Sequence, residues 1–420
     1  MDAAIPRNYA STMGSSDIYS KTIAHYLAPL SAYLSDASVS EIMINRADEI
    51  YIERHGQLIR TDARFADEQA YQAAVNNILQ FTGRSLSDEQ PLIDSRLPDG
   101  SRVHVAKQPC ARFGTTMTIR KFSRQMLDID WLVELGTLTR QACEYLRIAV
   151  RAERNLLVAG GTSSGKTSLL NALSRFIPDG QRIVVIEDSA ELQLQQDHVI
   201  SLERRLPDRY GRGSVEIGDL FRSSLRLRPD RIVIGEVRGG EALDMIQAMT
   251  SGHGGSLGTL HANNPADALN RLETMAMMSS VELPLHALRA QISSAIDVVV
   301  QMSRHVGGRR MVTQITEIDP LSDDGHYRLR DLFEMRAGAD PDDPKRMQLS
   351  WTGVRSTMAG RLRPEEAQLV DVTRDLFALD SPPGRANNDP GAVPGAVPGE
   401  VPDEDAGESL AGHETGRDAL

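Results

Sequence analysis

Cysteine is nearly missing from this 420-residue chain, with Cys110 and Cys143 the only two. That excludes a disulfide scaffold and any four-cysteine zinc module, and it suits a reducing compartment. Aromatic residues make up only 5% of the chain, too few to interleave with cations as a base-stacking track. Long apolar runs are missing too: stretches such as Leu156–Ala159 last a few residues, against the roughly 20 that span a bilayer. The amino terminus lacks the charged start and apolar stretch of a secretory leader. Lysine is scarce. Of 46 cations only five are lysines (Lys21, Lys107, Lys121, Lys166 and Lys345), so arginine is the default cation and a lysine is the informative one.

The net charge of −12 is unevenly spread. Residues 381–420 hold eight acids (Asp389, Glu400, Asp403, Glu404, Asp405, Glu408, Glu414 and Asp418) against Arg385 and Arg417, a net of −6. The rest of the chain is only mildly acidic, so no global positive field draws in nucleic acid, and direct nucleic-acid binding is not expected.

Residues 1–17 are small and polar and read as a loose lead-in. From 18 to 122 the patterning predicts an α+β domain. Strands are expected at Val39–Asn45, Glu49–Glu53, Gln57–Thr61, Ile93–Leu97, Arg102–Ala106 and Thr116–Arg120, and a helix near 67–82. Residues 123–137 read as a linker. A second domain, 138–380, opens with a helix near 139–152 and then alternates strand and helix, the mark of a parallel sheet covered on both faces. Its strands are expected at Asn155–Ala159, Arg182–Glu187, Arg231–Gly235 and Ser256–His261, with further ones at Met311–Asp319 and His326–Phe333. Residues 381–420 contain six prolines and seven glycines, including the tandem Gly391–Pro394 and Gly395–Pro398. So few apolar groups cannot offset the entropy of ordering, and disorder is the expectation.

The sharpest chemical signal is Gly160-Gly161-Thr162-Ser163-Ser164-Gly165-Lys166-Thr167, a G-x₄-G-K-T phosphate loop between an apolar strand and a helix expected at Lys166–Phe176. Glycines let backbone N–H groups curl around phosphates, and the helix start adds a positive dipole end. Lys166 is placed to reach the terminal phosphates, and Thr167 to offer a hydroxyl to Mg²⁺; Ser168 adjoins them. These residues predict ATP with Mg²⁺ as the ligands. Hydrolysis also needs an acid at a neighbouring strand end. Arg231-Ile-Val-Ile-Gly235-Glu236 ends an apolar run in one carboxylate, with Gly235 where an aspartate often stands. Ile186-Glu187-Asp188-Ser189-Ala190-Glu191 ends a second. Two histidines, His253 and His261, flank a glycine-rich stretch; by their chemistry alone, a structural place and a γ-phosphate contact stay equally open.

These segments (the phosphate loop, IEDSAEL, LRPDRIVIGEVRGGEA and SGHGGSLGTLHANNP) follow in the order and spacing of the type II/type IV secretion ATPases. The chain resembles most the CpaF-like branch that drives tight-adherence (Flp) pili; RLPDGSRVHV, TMTIRKFS and VELGTLT match it too. The resemblance covers roughly residues 25–335. It implies a RecA-like phosphate-loop ATPase core with a smaller PAS-like amino-terminal domain, assembled as a homo-hexamer at the cytoplasmic face of the inner membrane. Membrane platform proteins would be its partners there. It implies Glu236 as general base, Glu187 and Glu191 around metal and water, with Glu187 and Thr167 at the metal, and His261 as γ-phosphate sensor. Arg120, with Arg102 or Arg96, would approach the nucleotide from the amino-terminal domain. Arg226, Arg228 and Arg238 would stabilise charge at subunit contacts. Ser163 departs from the glycine often found there, and the paired-CxxC zinc module of the type II secretion and pilus-extension branch is missing. A conjugative transfer motor and a slow nucleotide-gated scaffold are the alternatives.

Overall fold

Period-two alternation between residues 39 and 120 folds into six antiparallel strands. The computed structural model describes residues 21–122, 128–207, 211–305, 308–337 and 347–358. The lead-in 1–17 and the Pro/Gly-rich stretch 381–420 lie outside the described residues. The six strands are β1 (Val39–Arg46), β2 (Glu49–Arg54), β3 (Gln57–Arg60), β4 (Leu92–Arg96), β5 (Arg102–Ala106) and β6 (Thr116–Arg120), in the order β3-β2-β1-β6-β5-β4. The β2–β3 hairpin closes through His55 and Gly56, both at positive φ (50° and 78°), as a two-residue loop of matching twist requires. After a short helix α1 (Ser31–Ser35), helix α2 (Glu68–Phe81) is capped by Asp67, whose side chain accepts from the Ala70 N–H at 2.7 Å. Its Tyr71, Ala74, Val75, Ile78 and Leu79 bury against Ile42, Ile44, Ile52, Val103 and Ile119 of the sheet.

The second sheet has nine strands: β7 (Leu156–Gly160), β8 (Ile183–Glu187), β9 (Val199–Glu203), β10 (Arg231–Ile234), β11 (Leu257–Leu260), β12 (Val298–Arg304), β13 (Arg310–Asp319), β14 (Arg328–Ala337) and β15 (Met347–Trp351). Their order is β15-β14-β13-β12-β7-β11-β10-β8-β9. From β12 to β9 all neighbours run parallel. From β12 to β15 they alternate as an antiparallel extension.

Both faces of the parallel part are covered. On one side lie α3 (Ile129–Glu134), α4 (Arg140–Arg151) and α5 (Lys166–Ser174), which share a core with Leu156 and Val158. On the other lie α6 (Ile217–Ser224), α7 (Glu241–Thr250), α8 (Pro265–Ala276) and α9 (Leu285–Ala295), which share a core with Leu157 and Ala159. Alternate residues of β7 thus feed opposite cores, and the strand is buried throughout. This is the α/β phosphate-loop core expected, joined to a smaller α+β sheet. Three strands were not anticipated: β9, β12 and β15. Within the stretch read as a linker, helix α3 packs Ile129 and Leu132 into the core beside α4.

Candidate functional site

Strand β7 delivers the chain to the carboxyl edge of the sheet, where ligands bind in open α/β folds. A side chain at Gly160 would meet the Met302 carbonyl of β12 at 2.6 Å, so the loop leaves the strand under tight steric control. Ser163 and Gly165 both adopt positive φ, 57° and 94°. Glycine does this freely, whereas Ser163 accepts a cost of about 1–2 kcal/mol. The Arg310 Nε of β13 donates to the Ser163 carbonyl at 3.1 Å and supports that turn. Ser164 is buried and donates its hydroxyl to the Gly161 carbonyl at 2.9 Å, while Gly161, Thr162 and Ser168 are exposed around the loop.

Lys166 opens α5 with its ammonium folded back over the loop, donating to the carbonyls of Gly160 (3.1 Å) and Gly161 (2.9 Å). Burial holds its pKa below the usual lysine value; nearby Glu236 opposes that shift, and the fields of Arg238 and Arg120 add to it. A buried ammonium held by carbonyl dipoles, at a helix start rimmed with N–H groups, is a ready partner for phosphate oxygens.

The neighbouring strand ends supply the acids. Glu187, at the end of β8, is buried and accepts on Oε1 from the backbone N–H groups of Glu191 (2.9 Å) and Leu192 (3.0 Å). Burial pushes its carboxyl up to about 7 against the pull of those two bonds. The absence of an aspartate before Glu236 has a steric reason: a Cβ at Gly235 would sit 2.9 Å from the Glu187 Cγ. Glu236 itself receives Arg238 Nη2 on Oε2 at 2.6 Å and His261 Nε2 on Oε1 at 2.9 Å. His261 Nδ1 lies 3.4 Å from Lys166 Nζ. Burial and the Lys166 charge lower the His261 pKa against the pull of Glu236, which favours the neutral ring with a single proton. Its partners place that proton on Nε2, towards the carboxylate, and turn the Nδ1 lone pair to the ammonium. Lys166, His261 and Glu236 therefore form one continuous chain.

The amino-terminal sheet brings three arginines to the same edge. Arg96, Arg102 and Arg120 oppose one another across β4, β5 and β6. Like charges in register repel, so such a row needs anions beside it. Arg102 Nη2 reaches the Ser189 carbonyl at 3.0 Å and Glu191 at 3.1 Å, and Arg96 reaches the Ser189 hydroxyl and Glu203. Arg120 is exposed beside its cross-strand neighbour Glu41, and its field extends to Lys166.

Other predicted residues stand apart. Arg226 is exposed in the turn Leu225–Leu227 that precedes β10, and exposed Arg228 follows it; Glu236 lies past the other end of that strand. His253 precedes β11, again at the far edge from His261. Of the glycines near His253, Gly255 serves packing. A Cβ at Gly255 would lie 1.5 Å from Arg231 Nη1. Arg231, fully buried, donates to the Gln181 side chain (2.8 Å) and to the carbonyls of Gly255 and Val150 (3.1 Å each). The glycine–histidine segment thus divides between the Arg231 cluster, at Gly255, and the carboxyl edge of the sheet, at His261. Sequence reasoning passed over Arg310 and Arg204 because arginine is so common here. It read Asp188 only as part of an acidic cluster.

Among the described residues, no three His, Cys, Asp or Glu side chains gather as a metal site. The Thr167 hydroxyl and the Glu187 carboxyl are hard oxygen donors, few in number, which fits Mg²⁺ completed by phosphate oxygens and water.

The family described as type II/IV secretion system protein matches residues 24–320. A putative conjugal transfer protein of Mycobacterium tuberculosis, Rv3659c, is 34% identical over 300 residues, which span 70% of this chain and 84% of that protein. The type IV secretion system protein PtlH of Bordetella pertussis is 35% identical over 327 residues, 71% of this chain and 96% of its own. The ATPase DotB of Legionella pneumophila shares the fold, with a TM-score of 0.50 at 16% identity, covering 90% of each chain.

Proposed function

Because the chain belongs to the type II/IV secretion system protein family, we propose that it is an ATP-hydrolysing motor that drives pilin assembly or substrate export. The continuous contact chain from Lys166 through His261 to Glu236 carries this reading. In it, Lys166 exchanges two carbonyls for β- and γ-phosphate oxygens, and the loop N–H groups orient the phosphates for in-line attack. Mg²⁺, when bound, neutralises charge on the phosphates. Glu236 takes the proton of the attacking water, and neutral His261 reports the γ-phosphate to it through its two ring nitrogens. Glu187 and Glu191 border the metal and water. Arg102 and Arg120 approach from the amino-terminal sheet and stabilise charge that develops on transfer.

The working unit in this reading is a homo-hexamer at the cytoplasmic face of the inner membrane. No described helix is long and apolar enough to cross a membrane, so partners provide the attachment. The motifs shared with the tight-adherence branch favour a pilus as the output. The similarity to Rv3659c and PtlH favours conjugal transfer or type IV secretion as the second reading. Purified protein should release phosphate from ATP only with Mg²⁺. Lys166→Ala should lose nucleotide binding, whereas Glu236→Gln should bind ATP and not turn it over. Full turnover in Glu236→Gln would remove Glu236 as the base, and light scattering with a non-hydrolysable ATP analogue tests the hexamer.

A further inference from the structure

A general base needs an oxygen free to accept from water, and each oxygen of Glu236 already accepts one donor. His261 holds Oε1 and Arg238 holds Oε2, the latter at 2.6 Å. Arg238 is also the middle of a longer alternation of charge. Its Nη1 lies 3.3 Å from Asp188 Oδ2; Asp188 Oδ1 accepts from Arg204 Nη1 at 3.1 Å; and Arg204 Nε lies 2.8 Å from Glu216. Asp188 is thereby fixed from behind, on the β9 side, while its front oxygen faces Arg238. The guanidinium sits closer to Glu236 than to Asp188, with Asp188 a second ion-pair partner within its reach. Its backbone is anchored independently: Glu241 Oε1 accepts from the N–H groups of Arg238 (2.8 Å) and Gly239 (2.9 Å) at the start of α7. Only the side chain has to move.

We propose that Asp188 is a positioning residue for hydrolysis, which takes Arg238 from Glu236 and so opens the base to the attacking water. Loss of Asp188 leaves Glu236 as the carboxylate in direct ion-pair contact with Arg238. The step is an exchange of ion-pair partners, with no bond made or broken. It rests on Glu236 being the base of an ATPase, as proposed above.

Steady-state ATPase assays on the full chain test it, with affinity read by a fluorescent ATP analogue. Asp188→Asn should lower kcat about tenfold or more and leave KM within about twofold, the split expected when only transition-state stabilisation is lost. Asp188→Glu should recover most of that activity. In an Arg238→Gln background, Asp188→Asn should add no further loss, because the residue acts through Arg238. Should Asp188→Asn fail to fold, Arg204→Gln, which releases Asp188 from behind, should give the same kcat-selective loss. Wild-type kcat in Asp188→Asn, or an equal loss with and without Arg238, would overturn the proposal. A Glu236→Gln control separates the two levels. If it is inactive while Asp188→Asn is normal, only the relay fails; if it is fully active, the base assignment itself fails.

Discussion

A carboxyl group shut away from water, with two backbone N–H groups donating to it, is an uncomfortable charge, and Glu187 carries that discomfort as a raised pKa. The sign of its effect on stability follows. The folded chain holds the proton up to about 7, the unfolded chain only to about its ordinary 4.5, so the folded state binds more protons between these values. Stability from this group is complete below the lower value and declines as pH rises through the upper one. The span corresponds to roughly 3 kcal/mol. Glu187→Gln removes the dependence. Urea unfolding of wild type and variant at about pH 5 and about pH 8 should show the wild type losing ground at the higher pH; parallel behaviour would mean that Glu187 is hydrated in solution. At this scale the sequence was most informative where spacing forces geometry: the phosphate loop and the acid that follows β10 were legible because local order fixes their places, whereas the chemistry of His261 alone left two readings open. Gly255 was not legible, because its reason is Arg231, 24 residues away. Nor was Gly235, whose smallness serves Glu187 on another strand.

Among elements, strands such as β1, β2 and β5 were readable because one face is buried and period two shows, whereas β3, exposed throughout, was readable from the His55–Gly56 turn before it. Strand β12 escaped because Val298, Val299 and Val300 are all buried between two neighbours, and a uniform apolar run has no period to read. Strand β9 escaped for the opposite reason: as an edge strand it buries little. The antiparallel extension is tied to the core by one buried acid. Glu317 of β13 accepts from the Tyr145 hydroxyl of α4 at 2.9 Å, from the Thr357 N–H and hydroxyl at 2.9 Å each, and from the Ser356 hydroxyl. Tyr145 also packs on Phe333 of β14, so α4, β13, β14 and residues 356–357 meet at one point. Tyr145→Phe should cost about 1–2 kcal/mol, and Glu317→Gln about 2–4 kcal/mol, because an amide cannot accept all four bonds. The double variant should cost clearly less than the sum, since both lose the same bond. Strict additivity in urea unfolding would show that the tyrosine and the acid act separately.

For the whole molecule, the arginines divide by reach. Arg96 and Arg102 contact Ser189, Glu191 and Glu203 of their own chain, the field of exposed Arg120 reaches its own Lys166, and Arg238 touches its own Glu236. Arg226 is different. It lies before β10, and four strand residues, roughly 13 Å of chain, separate it from the edge that carries Glu236. Its side chain cannot turn that distance within the subunit, so any part it plays in hydrolysis must be played on a second copy. Pairing two inactive subunits decides the matter. Lys166→Ala lacks a working phosphate loop but keeps Arg226; Arg226→Ala keeps the loop. If Arg226 acts across the proposed ring, mixing the two should restore turnover well above either alone, because some intact loops then face an intact arginine. Arg238→Ala mixed with Lys166→Ala should give no more turnover than Arg238→Ala alone supplies, since Arg238 and Lys166 act within one copy. If the Arg226→Ala mixture stays as inactive as its components, or if Arg226→Ala alone turns over ATP normally, Arg226 belongs to the fold's surface and the charge on the γ-phosphate is met by Arg102 and Arg120 from within the chain.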